Sequence, residues 1–457
     1  NQGIVPSDYS LNGIINKEKI QEIFSQFNPY TKIIFITDCC FVNDNVLDLK
    51  YNWFIDDNNQ VMNIMTHSIL DALNSKNHKA IRLAQSRGER HPHCNVCWER
   101  DDANKRKGQI TTSLRYFRSF RQLPNEDGAI NIQKAPDFLT PDGSLNEFPI
   151  SLDLRFTNIC NMKCIMCSPI YSNQWYEDEY KLFGKKEMSL GHKVYEIRQE
   201  NGVWKSDIPI WHDSDNWWNQ FELIKHRIRH LYITGGEPFI IKGHDILLDK
   251  LIEADCAKNV ILEYDTNLSV INKKIIDRFK NFKQVVLSIS CDDINEQYEY
   301  IRFPGNFQKM LSNLQFLKDN NLKIRHLSSC IGIYSIYSPI RLHDYFTKLG
   351  YTPEVSSIGI DIFSFRMLRW PTHTNLALLP KHLKLKVIEI YQNSTLPQKW
   401  KNFLCGYLEN NMDVYSENVC VESVKTHIHY LNSLDSIRNT NWKKTFPEIA
   451  ELLQEYL

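Results

Sequence analysis

The chain has 457 residues, 24% of them charged and 42% hydrophobic, with 54 basic side chains against 54 acidic ones. That is enough for about two or three domains with a substantial core, and a formal net charge of zero removes any electrostatic case for nucleic acid or a membrane surface as partner. No apolar run approaches the roughly twenty residues of a membrane span and the first residues lack a signal-peptide pattern, so a cytoplasmic chain is expected, whose twelve cysteines point to metal sites and reduced thiols and not to disulfides.

In chain order, the first distinctive group is Cys39-Cys40, followed by Cys94 and Cys97 in His91-Pro-His-Cys-Asn-Val-Cys-Trp-Glu-Arg. A C-x2-C beside histidines is a usual metal half-site, and Cys39 and Cys40 could supply the other ligands. Spacing does not separate an iron-sulfur cluster from zinc, and reduced structural cysteines are the alternative.

From about residue 150 to residue 363, short strand-like runs alternate with helical patterns, the signature of βα units on a parallel sheet. Strands are predicted at 151–157, 230–234, 260–267, 284–291, 324–333 and 354–363, and helices at about 172–183, 217–227, 244–255, 271–281, 307–319 and 339–349. Six such units predict an α/β fold, an open, partial barrel with its reactive loops at the C-terminal ends of the strands. Strand residues alternate faces. Leu152, Leu154 and Phe156 form one face and leave Asp153, Arg155 and Thr157 on the other. The same parity turns Tyr232 and Thr234, then Glu263, Asp265 and Asn267, then Ser288 and Ser290, then His326, Ser328 and Cys330, and finally Asp361 inward. Such a polar interior fits a wet, ligand-filled cavity, or a network whose members satisfy one another.

The first βα loop carries Cys160, Cys164 and Cys167 in C-N-M-K-C-I-M-C. A C-x3-C-x2-C loop offers three soft thiolates and no fourth. Four would satisfy every iron of a cubane, so three leave one iron open, as reactive metal sites require and structural ones avoid. A zinc site completed from a distance, or three unrelated buried cysteines, is the plain alternative. After an insertion holding Trp204, Trp211, Trp217 and Trp218, where a lid or substrate platform competes with helix packing, comes His230-Leu-Tyr-Ile-Thr-Gly-Gly-Glu-Pro238. It reads as a strand ending in a Gly-Gly turn, where a ligand can approach the backbone and Glu237 can hold an ammonium group.

The cysteine loop followed by G-G-E-P resembles the radical S-adenosylmethionine (SAM) enzymes. The resemblance implies a (β/α)6 TIM-like partial barrel and a 4Fe-4S cluster on Cys160, Cys164 and Cys167. SAM would chelate the open iron and be cleaved reductively to a 5'-deoxyadenosyl radical that abstracts a hydrogen atom from substrate. It further implies that Gly235, Gly236, Glu237 and Pro238 engage the methionine amino group and that Met166 packs near the adenine. Val260 to Asn267 looks like the family's strand ending in T-N-G, with Leu268 where glycine is common. Ser290-Cys-Asp-Asp293 is similar to its S-x-D-G segment, with Asp293 replacing glycine. Ser290 and Arg302 are then the residues expected to hold the SAM carboxylate, a guanidinium being suited to bidentate recognition.

The N-terminal cysteines and the ending, Leu434-Asp-Ser-Ile-Arg-Asn and Phe446-Pro-Glu-Ile, resemble radical SAM proteins of the SPASM/twitch type. That gives an N-terminal cap with a candidate auxiliary metal site at 1–148, the barrel at 149–363 and a twitch-like extension at 364–457, in which Cys405 and Cys420 read as isolated buried cysteines. Arg155, Tyr232, Glu263, Asp265, Ser288, His326, Ser328 and Asp361 would line the substrate cavity, and Cys330 could return a hydrogen atom to a substrate radical. A peptide or protein substrate is expected first, with a nucleotide, sugar or other small molecule second and a non-enzymatic metal-stabilised binding protein as the reading of another class. A one-electron reductant such as flavodoxin or ferredoxin is the implied partner.

Overall fold

A computed structural model describes residues 33–35, 62, 64–87, 89–92, 140–145, 151–190, 193–351 and 362–457. Cys39, Cys40, Cys94, Cys97 and Asp361 lie outside them. After strand β1 (Ile33–Phe35) and helices α1 (Ile69–Leu73) and α2 (Lys76–Ser86), the chain alternates strand and helix. The order is β2 (Ser151–Arg155), α3 (Trp175–Phe183), a meander of β3 (Glu187–Leu190), β4 (Lys193–Glu200) and β5 (Val203–Ser206), α4 (Asp215–Ile224), β6 (His230–Thr234), α5 (Lys242–Glu253) and β7 (Ile261–Thr266). Then come α6 (Lys273–Phe279), β8 (Gln284–Ser290), α7 (Asn295–Ile301), α8 (Phe307–Asp319), β9 (Lys323–Ile331), α9 (Ser338–Lys348) and β10 (Phe363–Met367). Helices α10 (Lys381–Gln392), α11 (Gln398–Asn410) and α12 (Glu417–Arg438) follow.

The main sheet has seven strands in the order β1-β2-β6-β7-β8-β9-β10. Strands β2 and β6 to β10 pair in parallel, and β1 joins β2 antiparallel. This is the α/β partial barrel expected, and it is open: β1 and β10 are the two ends of the sheet. The sixth parallel strand begins at Phe363, where the sequence reading ended it, and residues 352–361 are outside the described set.

Parity holds where it was read. Leu152, Leu154, Leu231, Ile233, Leu262, Tyr264, Leu287, Ile289, Leu327 and Ile331 are all buried in the core under the helices. Burying each leucine or isoleucine contributes on the order of 1.5–3 kcal/mol, so one register is strongly preferred. One irregularity between β8 and β9 changes the interior: Leu287 pairs with Ile324 but Ser288 with His326, leaving Arg325 as an extra residue. Such a bulge re-aims a side chain. Arg325, outward by strict alternation, instead pairs with Glu263.

Candidate functional site

Because the strands are parallel, the segments after β2, β6, β7 and β8 emerge at one edge of the sheet, and that is where the sequence motifs meet. The cysteine loop lies on the glycine turn: the Glu237 amide donates to Ile159 O at 2.9 Å. Gly236 has φ +50, and a Cβ there would stand 2.1 Å from Ile159 O. No side chain fits in that space, so this glycine is required by the approach of the loop that carries the thiols. Further anchors are Cys160 N to Asn173 Oδ1 at 3.0 Å, Trp175 Nε1 to Cys164 O at 3.0 Å, and Lys163 N and Ile165 N to Phe303 O and Ile301 O at 2.7 and 2.9 Å.

The far side of the loop is held by the C-terminal helix. Tyr430 of α12 donates its hydroxyl to Ile165 O at 2.8 Å. Asp178, buried in α3, takes Lys163 Nζ at 2.6 Å and Arg438 Nε at 2.8 Å, and the Arg438 guanidinium sits 4.8 Å above the Trp175 ring. Nothing in the motifs pointed to Asp178, Tyr430 or Arg438.

The three thiols are within electrostatic reach of one another. Burial, then the neighbouring Cys164, pushes the Cys160 thiol up to about 12. The hydrogen bond between Cys164 and Cys167 holds the first below the usual thiol range and lifts the second well above it. Cys160 and Cys167, whose ionisation is made costlier by burial and the neighbouring sulfur, are poor free thiolates and good ligands for a cationic metal group, which removes that cost. Donors also face the sulfurs: Asn267 Nδ2 is 3.9 Å from Cys160 Sγ and Arg302 Nη1 is 3.9 Å from Cys164 Sγ. The residues present fit an iron-sulfur cluster on Cys160, Cys164 and Cys167.

Two expected SAM contacts are engaged elsewhere. The Glu237 carboxylate is fully buried and accepts Thr266 Oγ1 at 2.6 Å and Asn267 N at 2.8 Å, with burial pushing its pKa up to about 7. It ties the glycine turn to the end of β7. Arg302 has Nη2 at 2.7 Å from the buried Asp292 and Nη1 at 3.9 Å from Cys164 Sγ, while its buried Nε makes no hydrogen bond among the described residues. Ser290 is half-buried at the end of β8 opposite Ser328, Pro238 is buried, and Met166 packs half-buried on the core.

The departures from the family pattern have physical content. Leu268 has φ +53, the left-handed conformation that makes glycine common there. A non-glycine residue costs roughly 1–2 kcal/mol in that conformation, which is offset because the Leu268 side chain is wholly buried and gains roughly 1.5–3 kcal/mol from burial. Asp293, in place of the other glycine, is buried and binds Arg341 Nε at 2.8 Å and the Ser338 hydroxyl, while Arg341 also pairs with Glu448. The aspartate ties the site to the C-terminal segment.

Inside the sheet the polar residues pair. Tyr232 donates to Asp265, Glu263 joins Arg325 and His230, with His230 Nε2 at 3.2 Å, and His230 Nδ1 meets Ser151 at 2.8 Å. Arg155 Nε lies 3.8 Å from the buried Asp153. Ser288 is buried, and His326, Ser328 and Cys330 are half-buried along β9, with Cys330 N donating to Asp292 Oδ1 at 2.7 Å. Tyr232, Glu263 and Asp265 of the predicted lining thus hold partners within the sheet, and His230 and Arg325 join them without having been expected there.

The tryptophans resolve differently from a lid. Trp211 is buried, edge-on to Trp217 at 4.8 Å, and donates Nε1 to Arg155 O at 3.0 Å. Trp217 is core and Trp218 lies against it, while Trp204 of the meander packs 5.1 Å from Tyr180. Cys405 and Cys420 are separately buried in α11 and α12, and among the described residues no group of three His, Cys, Asp or Glu side chains, the three loop cysteines included, closes around a single metal ion.

Residues 154–337 match the family model of the Radical SAM superfamily. No curated protein sequence matches the chain. Among solved structures, SuiB of Streptococcus suis bound to S-adenosylmethionine is similar with TM-score 0.33 and 14% identity, covering 70% of this chain and 61% of that one. The same protein bound to its precursor peptide SuiA gives 0.31 and 14%, covering 56% and 50%. The radical SAM methyltransferase TsrM of Kitasatospora setae, with cobalamin and a [4Fe-4S] cluster bound, gives 0.28 and 10%, covering 47% and 33%. The matched parts span between a third and three fifths of those chains. The parallel sheet and the cysteine loop agree with the family match, which is confined to about two fifths of the chain.

Proposed function

We propose that the chain cleaves SAM reductively and abstracts a hydrogen atom from a peptide or protein side chain. The observation that carries the reading is the meeting, at one edge of the parallel sheet, of the buried Cys164 and half-buried Cys160 and Cys167 with the Gly235-Gly236 turn and Asn267. A 4Fe-4S cluster held by Cys160, Cys164 and Cys167 would supply the electron for reductive cleavage of SAM and so the hydrogen-abstracting radical. The chain's own part is to enclose the sulfurs, brace the turn through Glu237 and Thr266, and keep water from the reactive edge.

A peptide is favoured by the open sheet, whose ends at β1 and β10 are unjoined among the described residues. The paired charges of Glu263, Arg325, Asp265 and Arg155 support the second reading, a small polar substrate such as a sugar or nucleotide. An auxiliary metal on Cys39, Cys40, Cys94 and Cys97 in a SPASM/twitch arrangement, a hydrogen-donor role for Cys330, a cytoplasmic setting and a flavodoxin or ferredoxin reductant belong to the same proposal. Cys330→Ala with undiminished turnover removes the donor role. Deuterium washed from labelled peptides into 5'-deoxyadenosine supports the first substrate class. Transfer only from a low-molecular-weight fraction selects the second. Iron well above about four per chain, falling to four in Cys94→Ser, supports the auxiliary site; unchanged iron contradicts it.

A further inference from the structure

Resting on the cluster assignment above, we propose that Arg302, Asp292 and Asn267 set the reduction potential of the site through the ligand sulfurs, with Arg302 and Asn267 raising it and Asp292 holding it down.

Two of the three sulfurs have a side-chain N–H donor at 3.9 Å, Arg302 on Cys164 and Asn267 on Cys160. Reduction adds negative charge to a cluster and its thiolates, so donors and cations near sulfur favour the reduced state and anions oppose it. Both donors are fixed. Asn267 Nδ2 also reaches Asn161 Oδ1 at 3.0 Å, while its Oδ1 accepts Ser269 N at 2.8 Å. Arg302 is gripped by Asp292 at 2.7 Å, and Asp292 is anchored across the sheet by Cys330 N. Asp292 is fully buried and the Arg302 side chain nearly so, which leaves their fields weakly screened by solvent and salt. A buried cation leaning on a ligand sulfur, with its counter-carboxylate behind it, gives two opposed adjustments in adjacent positions. These are positioning residues, acting through the sulfurs.

The test is an anaerobic redox titration of the reconstituted full-length chain without SAM, followed by electron paramagnetic resonance. Arg302→Met should lower the midpoint by at least 59 mV, a tenfold loss of reduced cluster at fixed potential. Arg302→Lys and Asn267→Leu should lower it less, and Asp292→Asn should raise it. Opposite signs at two touching residues are not what a loosened fold produces. Should Arg302→Met bind no iron, Arg302→Lys and Asp292→Asn decide by the same rule of sign. The proposal is overturned if Arg302 and Asp292 variants move the midpoint in one direction, or if Arg302→Met leaves it in place and only weakens SAM binding measured by calorimetry. A parent chain that takes up no iron contradicts the cluster assignment itself, an outcome distinct from an unmoved midpoint in a loaded chain.

Discussion

The cysteine loop is held by two unlike neighbours. Toward the sheet it rests on close backbone fits and neutral amides: Glu237 N on Ile159 O, the Gly236 contact and Asn267. Toward the C-terminal helix it is held by buried charge, with Lys163 and Arg438 sharing Asp178 and Tyr430 capping Ile165 O. The first side shapes the reactive edge through those fits, with the Glu237 carboxylate buried behind the turn. The second costs desolvation and returns a fixed geometry, since removing one partner of a buried ion set leaves the others unpaired. Site shape therefore resides in the barrel, and its rigidity depends on residues some 260 positions away in sequence.

Breaking the charged side should have the larger thermodynamic effect. Asp178→Ala strands two cations and is expected to lower stability by about 3–5 kcal/mol, read by chemical denaturation. A loss below 1 kcal/mol would show that α12 does not clamp the loop. Gly236→Ala attacks the other side: the left-handed φ costs roughly 1–3 kcal/mol, and the Cβ cannot coexist with Ile159 O. Here iron uptake should collapse out of proportion to the stability loss. Equal iron content in parent and variant would mean the loop does not need that contact.

A smaller, pH-dependent effect separates the two sides further. Against α12, His373 lies 4.5 Å from Tyr430, and burial lowers its pKa to about 4; the fully buried His427 is also well below the usual histidine value. An unfolded histidine takes its proton near 6.5, so these groups stabilise fully above that pH and the contribution is lost as pH falls from 6.5 through about 4. We expect a loss of about 3 kcal/mol from His373 alone over that window, with a shallower slope in His427→Phe. Identical slopes would assign acid sensitivity elsewhere.

The sheet side was legible in sequence because its determinants are local: a thiol spacing, a Gly-Gly turn, strand parity. The α12 side was not, because Asp178, Tyr430 and Arg438 look like any helical surface residues until the helices dock. The partners of Glu237 and Arg302 escaped for a related reason, since residue type suggests a ligand but only packing shows that Thr266 and Asp292 also meet these side chains. Arg325 required the β-bulge, which alternation cannot reveal. The meander was legible and missed: Asn201 at φ +50 and Gly202 at φ +79 form the Asn-Gly turn that flags a hairpin between alternating runs. The last strand differs again, its start at Phe363 being where the sequence reading ended it.

The most direct test of the central claim is anaerobic reconstitution of the full chain with iron and sulfide, followed by reductant and SAM. The account predicts at least about four iron per chain and reductant-dependent 5'-deoxyadenosine, both lost in Cys164→Ala. Zinc in place of iron, with SAM recovered intact, would contradict it.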